Sequence, residues 1–404
     1  MRGNSEFILI VSMAITNKIG APVTGEDFYG RSNELSRAYR YLNERQSLLL
    51  SAPRRIGKSS FAKKLIAEKS VEDWKCVYID LQGIATKEAF LRKLIDSFTG
   101  AGLMEQTGKR VKEFMESFFT VAGSVELGKI KIDLNQRSSL EAMYNRLSET
   151  FDYEQDTLIV IDELPLFLGK LIGINGENRD EVEFLLNWFR SLRQHENSRL
   201  RWLFCGSVGL RNFTTHHRMS QTINDLVDFE LGALTDDEAR GLIHALSLSY
   251  QLSMTDVVVD KTLNLLQWPI PYFIQLLIDR LISGKQNDGE VVVGINDIEA
   301  AIEELSRSDY FMTWYERLYE YRNLDPIARV VLNNVSAAEV GLSKDMLLQI
   351  LMKGHESADE PAINEDLTKV LEMLEHDGYL MRNDRIRKFR SPLLRKWWKY
   401  KFID

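Results

Sequence analysis

Short apolar runs alternate with amphipathic segments along the first part of the chain, up to about residue 230. Turn-forming or charged residues bound these runs, as in strands buried on both faces; the runs are 46–51, 75–80, 157–162 and 201–206. Helical patterns occupy the gaps between them, at 58–69, 87–101, 111–121, 139–151 and 182–194. Because parallel strands need long crossovers, the alternation predicts an α/β fold with a mostly parallel sheet covered on both faces.

A hairpin and a helical second part complete the pattern. Residues 124–134 alternate apolar and polar positions around Leu127-Gly128, which predicts an inserted hairpin. From Thr235 onward, where acidic residues follow a helix-capping threonine, the pattern predicts helices only. After Asp325-Pro326 the predicted order is helix, helix, helix and hairpin, at 328–334, 344–352, 364–376, 379–381 and 386–389. That order is typical of a winged helix-turn-helix.

The composition is that of a globular protein with more than one domain. The chain has 404 residues, of which 44% are hydrophobic and 27% charged, and its net charge of −8 provides no overall attraction to nucleic acid or anionic membranes. Cys76 and Cys205 fall inside apolar runs, which favours reduced core residues over disulfides or cysteine-bound zinc. The apolar run 7–15 is too short to cross a bilayer and lacks the features of a signal peptide. We therefore expect a cytoplasmic protein that does not enter the membrane.

The strongest chemical signal is a phosphate-binding loop (P-loop) motif, Ala52-Pro53-Arg54-Arg55-Ile56-Gly57-Lys58-Ser59. In such a loop the backbone N–H groups surround the β-phosphate, and the next helix begins at that phosphate. Gly57 permits close approach of the backbone, Lys58 is placed to reach the β- and γ-phosphates, and the Ser59 hydroxyl is placed to bind Mg²⁺. Ala52 replaces the usual first glycine, a position where a small residue suffices. The motif follows a predicted strand and precedes a predicted helix, which is the context it requires.

Two carboxylates follow the predicted strand at 157–162. Asp162 and Glu163 should reach the carboxyl edge of the sheet beside the P-loop. The pattern predicts Asp162 in the magnesium shell and Glu163 as the general base that polarises an attacking water. Apolar strands also end in acidic turn residues for no chemical reason, but the P-loop favours the functional interpretation.

Other polar residues are weaker candidates. Ser207 follows the predicted strand at 201–206 and would sense the γ-phosphate or the water, although an ordinary turn serine explains it equally well. The adjacent His216-His217 does not complete a metal site, because neighbouring positions point apart and no carboxylate stands at helical spacing. Arginines that could contact the γ-phosphate, within the chain or from another subunit, are Arg54, Arg55, Arg193 and Arg211, with Arg55 and Arg193 slightly ahead.

In chain order these motifs resemble those of the archaeal-type AAA-like ATPases, in the STAND branch of P-loop NTPases. The matching segments are Phe28-Tyr29-Gly30-Arg31 with Glu34, Ala52 to Ser60, Asp162-Glu163-Leu164-Pro165, 206–210, 224–226 and Leu234-Thr235 with Glu238-Ala239. The resemblance implies that Gly30 and Arg31 lie near the adenine and that Ser60 belongs to the phosphate site. At the first position of the segment 269–272 the family usually has glycine. This chain has Pro269 there, which restricts the backbone. Pro271 keeps its family position as a candidate nucleotide contact.

The resemblance implies a switch driven by ATP and Mg²⁺, in which core, lid and winged helix rearrange with bound ATP or ADP. It implies a P-loop NTPase core of AAA+-like type, a helical lid and a winged helix; the predicted parts are 1–24 (extension), 25–234, 235–322 and 323–404. We expect a slow ATPase that an unidentified protein partner regulates. The sequence leaves open whether the chain forms oligomers and whether it binds nucleotide as a scaffold without hydrolysis.

DNA binding by the winged helix is a further alternative. The helix at 364–376 is acidic, which would repel phosphates, with Glu365, Asp366, Glu372 and Glu375 against Lys369. Basic residues surround Trp397, Trp398 and Tyr400 further on; they are Arg385, Arg387, Lys388, Arg390, Arg395, Lys396, Lys399 and Lys401. The favoured interpretation is a packed terminal helix whose charges face solvent or an acidic face of the same protein.

Overall fold

The structure is a computed structural model, and it describes residues 14–103, 125–127, 130–132, 141, 144–145, 147–149, 151–173, 176–206, 209–284, 289–353 and 359–404. The predictions for residues 1–13, for a helix at 111–121, for the hairpin turn at Gly128 and for Ser207 lie outside these residues. The chain divides into two compact units. We call Ser32–Ala52 with Lys58–Leu231 the core unit, and Met1–Arg31 with Pro53–Gly57 and Gly232–Asp404 the helical unit.

The core unit contains the predicted parallel sheet. Its strands are β1 (Leu48–Ser51), β2 (Lys75–Asp80), β3 (Val125–Leu127), β4 (Ile130–Ile132), β5 (Thr157–Asp162), β6 (Leu200–Gly206) and β7 (Val227–Glu230). Five of these described strands pair in parallel in the order β2-β5-β6-β1-β7. β3 and β4 pair antiparallel, as the predicted hairpin requires. The α/β prediction is therefore confirmed.

Helices connect the strands of the core unit. They are α1 (Ser32–Asn43), α2 (Lys58–Val71), α3 (Lys87–Gly100), α4 (Leu164–Leu171), α5 (Arg179–Arg193) and α6 (Leu210–His216). The Thr86 hydroxyl accepts a hydrogen bond from Ala89 N at 3.2 Å and so starts α3. Of the predicted helix at 139–151, the structure describes only parts.

The register brings the carboxyl ends of the strands to one edge of the sheet. Ser51 at the end of β1 is level with Gly206 of β6 and Glu230 of β7, and Asp80 of β2 is level with Asp162 of β5. β5 and β6 are buried along their whole length, as expected of strands with both faces covered. Polar residues that follow β1 and β5 therefore meet at this edge.

The helical unit begins with four helices. They are α7 (Asp236–Ser249), α8 (Asp256–Leu266), α9 (Pro271–Ser283) and α10 (Ile295–Leu305). Thr235 caps α7 in a capping box, with Glu238 N donating to its hydroxyl at 3.2 Å. The prediction of helices only was wrong in detail, because β8 (Leu252–Ser253) and β9 (Val291–Val292) form a short parallel pair.

From Asp325 the helical unit contains the predicted order of helix, helix, helix and hairpin, with one short strand added after the first of these helices and a further helix after the hairpin. The elements of its C-terminal part are α11 (Met312–Arg317), α12 (Asp325–Ala337), β10 (Leu342–Ser343), α13 (Lys344–Lys353), α14 (Glu360–His376), β11 (Leu380–Asn383), β12 (Ile386–Phe389) and α15 (Pro392–Phe402). The described strands form an antiparallel sheet in the order β10-β12-β11. Among the described residues, no helix has both the length and the apolar character needed to cross a membrane.

Candidate nucleotide-binding site

The P-loop joins β1 to α2, as the sequence predicts. Gly57 has a φ of +102°, a left-handed backbone conformation that a residue with a Cβ adopts only with strain. Lys58 is the first residue of α2, and its side chain is buried. Its Nζ donates a hydrogen bond to the carbonyl oxygen of Ala52 at 2.8 Å. The ammonium group thus lies close to the carboxyl end of β1, at the base of the loop.

The core unit places the two predicted metal ligands side by side. The Ser59 hydroxyl donates to Asp162 Oδ2 at 2.7 Å, although the two residues are 103 positions apart in sequence. Asp162 is buried, with only 4% of its surface exposed. A hydroxyl oxygen and a carboxylate oxygen therefore meet where α2 begins and β5 ends.

Tyr78 is a third member of this cluster that the sequence analysis did not identify. Its hydroxyl donates to Asp162 Oδ2 at 2.6 Å. Tyr78 lies on β2, which is the neighbour of β5, level with Val160. Burial is the larger cause and the negative charge of Asp162 the second cause that raise the pKa of the Tyr78 hydroxyl far above its usual value. The hydroxyl therefore keeps its proton and donates it in this hydrogen bond. A tyrosine within an apolar strand carries no sequence signal for this contact.

Glu163 occupies a strained turn directly after β5. Its φ and ψ of 59° and 28° lie in the left-handed region, and it stands immediately before α4. Glu163 N donates to Asp162 Oδ1 at 3.0 Å, so the same carboxylate binds both the loop serine and the turn. A non-glycine residue in this conformation costs about 1–3 kcal/mol, and such strain is concentrated at functional sites.

Cys205 lies on β6, one residue before the end of that strand, and is level with Leu50 of β1. Burial, and then the nearby charge of Asp162, raises the pKa of its thiol well above the usual range. Both cysteines are free; Cys205 is buried in the core, whereas Cys76, also predicted to be a core residue, is only partly buried.

The middle of the P-loop, Pro53–Gly57, belongs to the helical unit. Arg54 Nη1 donates to the Thr313 carbonyl oxygen at 3.2 Å. Arg55 Nη1 donates to the Gly20 carbonyl oxygen at 3.2 Å, and its guanidinium lies 4.8 Å from the centre of the Tyr272 ring. These contacts hold the two loop arginines within the helical unit.

Arg31 connects the P-loop to the start of α7. Its Nη2 donates to the Ile56 carbonyl oxygen at 3.2 Å, and its Nη1 donates to that of Ala233 at 3.3 Å. Its backbone N donates to Glu238 Oε1 at 2.5 Å. Gly30 before it has a φ of +72°, and a Cβ there would lie 3.2 Å from Glu238 Oε1. The buried guanidinium of Arg31 therefore has a clear structural role in positioning the loop.

Pro269 and Pro271 flank the start of α9. Pro271 lies in the first turn of that helix, where its missing N–H has no cost. The Pro269 carbonyl oxygen accepts a hydrogen bond from Leu234 N at 3.2 Å. The departure from glycine at position 269 is thus compatible with an ordered backbone contact between the segment before α7 and the segment before α9.

Comparison with known proteins matches part of the chain to one family model. Residues 41–213 match the family model described as an AAA domain. The fold is that of a P-loop NTPase. In sequence, the chain matches no curated protein.

Several solved structures align with most of the chain. The Walker-type ATPase PABY2304 of Pyrococcus abyssi has 16% identity and a TM-score of 0.61, with 95% of this chain and 99% of that chain covered. The RuvB Holliday junction branch migration motor of Thermotoga maritima has 13% identity and a TM-score of 0.43, covering 91% and 94%. The Aeropyrum pernix ORC1 protein in complex with DNA has 15% identity and a TM-score of 0.42, covering 93% of each chain. At 16% identity the likeness to the Walker-type ATPase concerns the fold alone.

Two further arginines of the P-loop NTPase core were candidates for contact with the γ-phosphate. Arg193 is buried and holds Asp225 in a two-point ion pair, with Nε to Oδ2 at 2.7 Å and Nη2 to Oδ1 at 2.8 Å. Arg211 Nε pairs with Asp228 Oδ1 at 2.5 Å. The first contact is typical of a structural ion pair, because two nitrogens of one guanidinium bind both oxygens of one carboxylate.

The two histidines at the end of α6 do not form part of a metal cluster. Their ring centres lie 4.8 Å apart with perpendicular planes. Among the described residues, no group of three or more His, Cys, Asp or Glu is arranged to hold a metal ion.

The tryptophans of α15 are packed inside the helical unit. Trp397 Nε1 donates to the Ser308 carbonyl oxygen at 2.8 Å, and Trp398 Nε1 donates to Asn333 Oδ1 at 2.9 Å. Both rings are fully buried, so in this conformation neither can stack on a nucleic-acid base.

Several basic residues near these tryptophans pair with acidic residues of the same unit. Lys401 lies 3.0 Å from Asp309, and Arg387 lies 3.1 Å from Glu375. Lys396 and Glu303 are 3.7 Å apart. These contacts favour the packed terminal helix over a nucleic-acid surface.

Proposed function

We propose that this chain binds ATP with Mg²⁺ at residues 52–60 and hydrolyses it slowly, as a nucleotide-dependent switch. The observation that carries the proposal is the 2.7 Å hydrogen bond between the Ser59 hydroxyl and Asp162 Oδ2. It joins the helix that follows the P-loop to the end of a strand that lies two places from β1 in the sheet. This is the arrangement in which a P-loop hydroxyl and an aspartate share the metal of a bound triphosphate.

The residues of the cluster fit Mg²⁺. Mg²⁺ prefers hard oxygen ligands and usually takes only one or two of them from the protein, with phosphates and water completing the shell. Ser59 and Asp162 would supply these oxygens. When bound, the metal would neutralise charge on the β- and γ-phosphates.

Lys58 and Glu163 have separate proposed roles. Lys58 Nζ, which lies 2.8 Å from the Ala52 carbonyl oxygen, would bind the β- and γ-phosphate oxygens. Glu163, which directly follows the buried Asp162 in a left-handed turn, would accept a proton from the attacking water. We also propose that the nucleotide contacts four further residues, which are Gly30, Arg31, Ser60 and Pro271.

A slow basal rate is supported by the contacts of the candidate arginines. Each of them is held within its own unit; the pairs are Arg54 with Thr313, Arg55 with Gly20, Arg193 with Asp225 and Arg211 with Asp228. We propose that an arginine from a partner, or from a second copy of the chain, completes the site.

The proposed switch has four parts: an extension at 1–24, the ATPase core at 25–234, a lid at 235–322 and a winged helix at 323–404, as in the STAND branch. The order of elements from α12 to β12 supports the winged-helix assignment. The buried tryptophans of α15 support an internal or protein-binding role for this part over DNA binding.

The test of the proposed function uses the full-length chain. Calorimetry with Mg²⁺ and a non-hydrolysable ATP analogue should give saturable binding at one site per chain. Phosphate release from ATP should be slow, and a rate per chain that rises with protein concentration would indicate an arginine supplied by another copy. Absence of affinity for adenine nucleotides would end the proposal. Binding without phosphate release would instead support the scaffold alternative.

Tyr78→Phe is expected to weaken the Mg²⁺ dependence of nucleotide binding. The variant removes the hydroxyl that donates to Asp162 Oδ2 at 2.6 Å and keeps the ring. Groups that orient a ligand in this way typically change metal affinity by about 10–100-fold when removed. A Mg²⁺ titration of ATP-analogue binding should show a midpoint about tenfold higher. If the midpoint is unchanged, Tyr78 has no part in orienting Asp162.

A further inference from the structure

We propose that the turn Asp377-Gly378-Tyr379 positions the P-loop for nucleotide binding. The turn joins α14 to β11 in the C-terminal part of the helical unit, more than three hundred residues from the loop in sequence. The inference rests on the proposed function, since it concerns the loop that we propose to bind phosphates.

Gly378 brings the turn into direct contact with the P-loop. Its φ is +87°, and a Cβ at this position would lie 2.8 Å from Pro53 Cβ and 2.7 Å from Trp268 Cη2. Both distances are shorter than real Cβ atoms permit. The backbone of the turn therefore lies against the second residue of the P-loop, and only glycine allows this approach.

A buried polar network holds the turn in place. Asp377 Oδ2 accepts from Tyr321 at 3.0 Å and from Arg317 Nε at 3.3 Å, and Oδ1 lies 3.1 Å from His376 Nδ1. Asp377 and Arg317 are both almost completely buried. A buried charge with several fixed partners is costly to displace, so the turn has one well-defined position.

A second contact to the P-loop involves Arg54, the residue after Pro53. Arg54 Nη1 donates to the Thr313 carbonyl oxygen at 3.2 Å. The following residue, Trp314, packs edge-on against Tyr379 with ring centres 5.2 Å apart and against Trp268 at 6.2 Å. Pro53 and Arg54 thus rest on one continuous group of buried side chains.

The P-loop can bind phosphates only if its backbone N–H groups keep their positions. A misplacement of about 1 Å at a reacting site, caused by a change elsewhere in the protein, can lower the reaction rate about 100-fold. Because coupling between two sites is reciprocal, a nucleotide that fixes the loop must also stabilise the turn. The C-terminal part of the chain would in this way set the nucleotide affinity of the loop.

The test compares Gly378→Ala with Gly341→Ala. Gly341 also has a positive φ, +86°, and a Cβ there would lie 2.3 Å from the Arg387 carbonyl oxygen, so the control is at least as strained. The atoms nearest to that Cβ belong to Arg387 and Ile386 and not to the P-loop. With both proteins folded, as judged by circular dichroism, Gly378→Ala should raise the Kd for MgADP at least tenfold, and Gly341→Ala should change it less than twofold.

A second measurement needs no variant. The amides of Gly378 and Tyr379 donate to Glu375 and Leu374 carbonyl oxygens at 3.3 and 3.0 Å, so their hydrogen exchange reports on the turn. Saturation of the wild-type chain with MgADP should slow amide hydrogen exchange in residues 374–380. If Gly378→Ala does not fold, this measurement tests by itself whether the turn is coupled to nucleotide binding.

The outcomes separate the two proposals. Wild-type protein that does not bind MgADP would overturn the proposed function and this inference together. Wild-type binding with an unchanged Kd in folded Gly378→Ala, an equal loss in Gly341→Ala, or unchanged exchange in residues 374–380 would overturn the inference alone.

Discussion

Lys58→Ala is expected to lose most of its affinity for MgATP, with a Kd raised at least about 100-fold. The side chain carries the positive charge at the base of the loop, where its Nζ lies 2.8 Å from the Ala52 carbonyl oxygen. A hydrogen bond to a charged group contributes about 1.5–3 kcal/mol, and Lys58 would form two with the β- and γ-phosphates. Since about 1.4 kcal/mol corresponds to a factor of ten, this loss is easily measured by calorimetry.

Lys64→Ala is the matched control for this prediction. Lys64 lies on the same helix, α2, and pairs at 3.0 Å with Glu68, one turn further along. Such a partly exposed pair contributes about 0.3–0.5 kcal/mol, so the control should fold and bind normally. A Lys58→Ala variant that binds MgATP within threefold of wild type would rule out phosphate binding by this lysine.

Glu163→Gln is expected to bind MgATP normally and to lower the rate of hydrolysis by about 10²–10⁴-fold, the range for loss of a general base. The substitution keeps the shape of the side chain but removes its ability to take a proton. The left-handed backbone should tolerate glutamine, because Gln267 adopts the same region with a φ of 52°. Single-turnover phosphate release, after separate confirmation of binding, measures the effect.

The control for the base is Glu154→Gln. Glu154 is an exposed residue of the turn that precedes β5, so the same chemical change is made near the same strand but outside the cluster. Its turnover should equal that of wild type. Normal turnover in Glu163→Gln would remove Glu163 as the base and leave the binding proposal intact.

The local pattern of the sequence was sufficient for two strands of the sheet and for the loop. β2 and β5 begin and end where the apolar runs predict. β5 is buried along its whole length, and a strand covered on both faces must be apolar throughout. The start of α7 at Thr235 was also predictable, since its capping box is formed by residues three positions apart. In each case the interactions that decide the structure lie close together in sequence.

Elements with weak local signals were missed. β7 contains Asp228 and Glu230 and is only partly buried beside β1, so its sequence has no apolar run, and no strand was predicted there. α4 follows directly on the left-handed Glu163, where the sequence indicates only a turn with a proline. The two-residue pair of β8 and β9 is too short to produce a period.

By itself, the sequence determined that a P-loop joins a buried strand to a helix, and that Asp162 ends another strand of the same sheet. Only the tertiary structure decided which distant residues meet. It showed the hydrogen bond from Tyr78 to Asp162, the ion pair of Arg193 with Asp225, and the packing of Gly378 against Pro53. It also showed that Trp397 and Trp398 are buried. The physical reason is that residue periodicity specifies which face of an element is buried. Which distant side chain meets that face depends on the order of strands and the packing of helices, and these are set by the whole chain together.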